Sequence, residues 1–103
     1  MADIITTQQE IPDARFYVVA HDTFMSGWGE ARDKDNYIIL PCNTRMEAQV
    51  VEENTRNRDE MADIRVMDVK PDMDGLARAG RDILWQVMDR RRAERWYTPG
   101  GFS

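Results

Sequence analysis

Two runs of this chain, Phe16-Tyr17-Val18-Val19-Ala20 and Tyr37-Ile38-Ile39-Leu40, are apolar at odd and even positions alike. Successive side chains of a strand point to opposite faces of a sheet, so each run presents an oily surface on both sides. A sheet built on such strands must be covered twice. That requirement constrains the fold more than any other feature of the sequence.

One helix is available for the task. Thr44-Arg45-Met46-Glu47 has the capping-box pattern, in which the threonine hydroxyl accepts from the N–H three residues on and the glutamate reaches back. A helix is predicted from there to about Arg58, with Met46 and Val50, then Ala48 and Val51, at helical spacings. That stripe is thin, so the helix is expected to lie on a sheet with its outer side wet.

Strands are predicted at 16–20, at 37–40 (stopped by Pro41), at 64–69 (ended by Pro71) and at 83–88. The last run, Ile83 to Met88, also fits a helix continuing from 74 to 97. Gly75 and Gly80 would each cost such a helix about 1 kcal/mol, which favours the strand. The first two strands read as an antiparallel hairpin with a long connection, because a parallel pair needs a crossover.

The expected fold is therefore a single α+β domain of order ββαββ, with a mostly antiparallel four-stranded sheet and one covering helix. An aromatic C-terminal tail, Trp96-Tyr97-Thr98-Pro99-Gly100-Gly101-Phe102, follows a turn signal and reads as irregular. Residues 1–13 read as a flexible arm and 14–103 as the domain. With one face left over, the sequence leads to a homodimer, the aromatic tail contributing at its rim.

At 103 residues the chain has room for one core. Cys42 is its only cysteine, which excludes an internal disulfide and cysteine-rich zinc motifs and fits a reducing compartment. No apolar run approaches the ~18 residues of a membrane span, and residues near the start are not signal-like. A soluble, cytoplasmic protein is expected. Residues 1–74 carry 8 basic and 16 acidic side chains, whereas residues 75–103 carry 6 basic, all arginine, and 3 acidic. An acidic body repels phosphates over most of its surface and disfavours duplex DNA.

Several residue groups invite a functional reading. Phe24-Met25-Ser26-Gly27-Trp28-Gly29 frames an indole between glycines in the first connection, a tip suited to contact because tryptophan is enriched at binding hot spots. With Trp96 and Tyr97, residues Phe24, Met25 and Trp28 are the candidate partner-binding set. Arg90-Arg91-Arg92 and Arg95 lie beside Trp96 and Tyr97; guanidinium groups and aromatic faces together can clamp phosphate and stack on a base. The plainer reading pairs those arginines with acidic residues of the same molecule.

His21 and Ser26 lack the glycine pattern of a nucleophile elbow, and His21 reads as structural. Asp33, Asp35 and Asn36 lack the spacing of a calcium loop and read as a solvated turn. No P-loop, dinucleotide fingerprint or zinc set is present. No cofactor, metal or catalytic residue is expected.

The spacing of Phe16-Tyr17-Val18, Met25-Ser26-Gly27-Trp28-Gly29, Ala48-Gln49-Val50-Val51-Glu52-Glu53-Asn54 and Trp96-Tyr97 resembles small uncharacterised proteins encoded by bacteriophages. Those relatives read as a strand where this chain has 83–88, and the arginine-containing stretch 72–82 departs from them. The resemblance implies a phage accessory protein and carries no catalytic residues. The expected function is thus non-enzymatic binding of a host protein, with a defence or host-takeover target in view. The alternative is capture of a nucleotide or oligonucleotide signal in an arginine/aromatic groove at a dimer interface.

Overall fold

The computed structural model describes residues 11–22, 35–58, 61–73, 83–88, 90–91 and 93–102. Among them the chain forms β1 (Phe16–Asp22), β2 (Asp35–Cys42), α1 (Arg45–Arg56), β3 (Met61–Met67), β4 (Ile83–Val87) and a 3-10 helix (Glu94–Tyr97). The sheet runs β3-β1-β2-β4. β1 pairs antiparallel with β2 and with β3, while β4 lies parallel to β2. The α+β class and the ββαββ order are as expected, and Ile83–Val87 is a strand.

β2 and β3 both oppose β1 and so run alike, as does β4. The chain therefore makes two crossovers between like-directed strands, β2 to β3 and β3 to β4, travelling in opposite directions across the sheet. A common hand for both puts them on opposite faces. That is the observed arrangement: α1 packs on the first face, and the β3–β4 connection begins by placing Met73 on the second.

The first face buries Val18, Ala20, Ile38, Leu40 and Cys42 under Ala48 and Val51 of α1 and under Ala93 and Trp96. The second buries Tyr17, Val19, Ile39, Ile83 and Trp85 together with Ile11 and Met73. Tyr17 is 1% exposed and Ile39 0% in the single chain. Of the covers expected for this face (the aromatic tail, a second copy or a partner) none is needed to bury these residues, because Ile11 and the start of the β3–β4 connection lie on it.

Tyr17 fixes the N-terminal cover, since its hydroxyl donates to Pro12 O at 2.8 Å and accepts from Ala14 N–H at 2.8 Å. Ile11 thus belongs to the folded core rather than to an arm. The aromatic tail lies on the first face beside α1, not at the rim of the second, and Trp96-Tyr97 are helical rather than irregular.

Four local expectations are also corrected. β2 does not stop at Pro41 but continues to Cys42. Met88 N–H donates to Ile39 O at 2.8 Å, so odd-numbered residues of β2 turn their backbone groups toward β4. Pro41 faces that side beyond the last paired residue, Val87, where no ladder N–H is needed. Its carbonyl accepts instead from the Tyr97 hydroxyl at 2.8 Å.

Met46 points outward at 75% exposure, and α1 buries Asn54 and Thr55 alongside Ala48 and Val51. Asp35 and Asn36, read as part of a turn, open β2, and Asn36 is buried.

β3 starts at Met61 rather than at 64 because it is bulged. The register passes from Val19↔Arg65 to His21↔Ala62, setting Asp63 and Ile64 against Ala20 alone. The extra residue lets Met61 and Ile64 both pack toward the helix face, which strict alternation forbids. Asp63 sits there at φ 51, a region aspartate tolerates better than most residues.

Candidate functional site

The Thr44 cap forms, with the glutamate reaching one residue further back than the N-cap, and it ties two elements together. Thr44 Oγ1 accepts from Glu47 N–H at 3.0 Å, and the Glu47 carboxylate accepts from Asn43 N–H at 2.7 Å. The same carboxylate takes a two-pronged ion pair from Arg90, one arm of it at 3.0 Å. The Arg90 guanidinium also lies 4.6 Å from the centre of the Tyr97 ring. Hydrogen bonding from Arg90 holds the Glu47 carboxyl below its ordinary range, and Glu47 in turn raises Arg90. Arg90 therefore already has an anionic partner within the chain, as the plainer sequence reading held.

The other arginines diverge. Arg95 Nε donates to Gly101 O at 3.1 Å, and its guanidinium lies 4.3 Å from the Phe102 ring centre. Arg58, unmarked by any motif, stacks 5.0 Å from both Trp96 and Phe102. Arg92 lies outside the described residues. An open cleft of about 490 Å³ is lined by Arg90, Arg91, Glu94, Tyr97 and Thr98. It brings two of the four candidate arginines together with Tyr97 and adds a carboxylate that the sequence reading did not place there.

Trp96 is turned inward, 9% exposed, with its ring edge-on to Phe102 at 5.1 Å. Its indole is a core element and is not presented to a partner. Asn54 holds it in place: the side-chain amide donates to the carbonyls of Arg95, Trp96 and Thr98 at 3.2, 2.9 and 2.8 Å. The chain then turns through Thr98–Gly101. Gly101 N–H donates to Thr98 O at 2.9 Å, with Pro99 at the second position and Gly100 at φ 72 in the third, the geometry of a type II turn.

At the other end of the sheet, β1 and β2 are paired as far as His21↔Tyr37, whose rings stack at 5.3 Å. Phe24, Met25, Ser26 and Trp28 fall in the connection 23–34, outside the described residues. Both ends of that connection are thus held by adjacent, hydrogen-bonded strands. Cys42 is fully buried and bonded to Leu40 O at 3.4 Å; burial, then the nearby Glu47 charge, pushes its thiol up to about 12. A thiol so placed is not a nucleophile at neutral pH.

Among the described residues no three histidine, cysteine or carboxylate groups cluster as a metal site, and no helix is long and apolar enough to cross a membrane. No protein-family model, curated protein or solved structure matches the chain.

Proposed function

We propose that this chain is a non-enzymatic interaction protein that binds another protein through the β1–β2 connection carrying Phe24, Met25 and Trp28. One observation carries the reading. A connection of this length is mounted on two paired strands whose sheet is filled on both faces. Long connections on rigid scaffolds are where binding residues concentrate. With Trp96 committed to the core, Trp28 is the indole left to anchor a partner. The resemblance to bacteriophage proteins supplies the rest of the proposal: a phage accessory factor acting on a host protein in the bacterial cytoplasm.

The test is affinity capture from bacterial lysate, followed by reconstitution with the purified partner. Wild type should retain a defined host protein, and Trp28→Ala, folded by circular dichroism, should lose it. Equal retention by the variant, or nothing above background for wild type, contradicts the reading.

A second reading is favoured by the 490 Å³ cleft. There Arg91 would take a phosphate and Tyr97 a base. Glu47 and Glu94 oppose it by offsetting the arginine charge. Thermal shifts by nucleotides or short oligonucleotides, abolished by Arg91→Ala, would establish that reading; a flat screen removes it.

A further inference from the structure

A second cavity, of about 360 Å³, opens on the sheet face opposite α1. Its size falls within the roughly 300–1,000 Å³ of small-molecule sites. The floor is apolar and spans three strands and the crossover: Val19, Tyr37, Met67 and Met73. Two charged residues of the edge strand, Asp63 and Arg65, join the lining, with Pro71 and Asp72 beside them. Neither makes an ion pair among the described residues, with each other or with anything else. Asp72, also at the rim, already has a partner.

Two residues apart, Asp63 and Arg65 share a face by strand alternation alone, and the bulge beside them sets the backbone at Asp63. Without the inserted residue, β3 would run in simple alternation and Met61 would leave the helix face. With it, Asp63 takes its left-handed φ of 51 beside Arg65, and both line one cavity. Bulges recur where a side chain must be re-aimed next to a site, and unusual backbone conformations recur at ligand clamps.

We propose that this cavity binds a small zwitterion carrying an apolar group, the chemistry of a free apolar amino acid. Arg65 takes the carboxylate by paired N–H donors. Asp63 takes the ammonium, and the apolar group lies on Val19, Tyr37, Met67 and Met73. A simple anion would meet Asp63 unfavourably and a simple cation would meet Arg65. A ligand bearing both charges satisfies both, and the apolar floor favours one that also carries an apolar side chain. The lining takes no residue from the β1–β2 connection, and the proposal does not depend on the protein-binding reading.

The experiment is titration calorimetry, backed by thermal shift, with L-phenylalanine, L-leucine and L-methionine on the full chain. Three controls each remove one feature: N-acetyl-L-phenylalanine the cation, L-phenylalanine amide the anion, and glycine the side chain. Binding should weaken about tenfold or more for each control, the usual consequence of losing a charge-assisted contact or a buried apolar group. Asp63→Asn, which keeps a residue tolerant of the left-handed region, should weaken the amino acids but not the N-acetyl compound. Arg65→Gln should weaken the amino acids but not the amide.

Unchanged melting of the two variants without ligand separates loss of contact from loss of fold. No binding by any of the three amino acids at millimolar concentration overturns the proposal. So does binding that N-acetylation, amidation and both substitutions leave unchanged.

Discussion

Replacing Asn54 by alanine should destabilise the fold far more than its position on a mostly polar helix suggests. Asn54 is 1% exposed, and its amide is divided among three carbonyls of residues 95–98. Removing it strands the buried Trp96 carbonyl, at a cost of about 1–3 kcal/mol. The Arg95 and Thr98 carbonyls are only part-buried, so water recovers most of their loss, leaving roughly 0.5 kcal/mol each. One saving opposes these costs. Asn54 Oδ1 is itself buried without a hydrogen-bond partner, so deleting it relieves about 1 kcal/mol.

The net loss is then about 2 kcal/mol, a sizeable share of the ~5–15 kcal/mol that holds a domain of this size together. Urea unfolding followed by tryptophan fluorescence measures it. Asn54→Asp is the sharper companion, because it points a carboxylate at three carbonyl oxygens and should lose more than alanine does. An alanine variant within about 0.5 kcal/mol of wild type, or an aspartate variant no worse than alanine, would refute the reasoning.

Three further outcomes follow from other contacts. The Glu47 carboxyl is lowered in the folded state from its ordinary 4.5, so its contribution is complete above that value and fades as pH falls through the lower folded value. Urea midpoints measured across this acidic window should fall less steeply in Glu47→Gln than in wild type. Cys42, with its thiol pushed up to about 12 and no exposed surface, should resist thiol reagents at neutral pH until the protein is unfolded, as followed by mass spectrometry. Gly101→Ala would set a methyl group 2.0 Å from the Arg95 carbonyl oxygen; the turn must open, and a loss of about 2 kcal/mol or more is expected by thermal melting.

The elements with strong local signals were legible in the sequence. The uninterrupted apolar runs of β1 and β2, the Thr44/Glu47 cap and the Thr98–Gly101 turn each form from residues that favour one conformation. What covers the sheet was not legible, because it depends on topology. Among the described residues, Met73 in the β3–β4 connection and Ile11 before the first strand pack on the second face, and neither stands out from polar neighbours.

The bulge was hidden for a related reason. Met61 and Ile64 look out of phase for one strand until Asp63 is counted as the inserted residue. The arginines were visible as a group, but not their separate destinations. Those were set by Glu47, Phe102 and Gly101, which lie near them only in the fold. Arg58 carried no motif and Asn54 reads with no structural role, yet they fasten the C-terminal segment.

The account rests on a sheet whose central apolar residues are buried on both faces by their own chain, with protein binding proposed for the β1–β2 connection. Light scattering combined with melting curves over about a hundredfold range of protein concentration tests this directly. A mass of one chain and a melting temperature independent of concentration are predicted. A mass of two chains, with melting that rises with concentration and is lowered by Trp85→Ala at the second face, would contradict it.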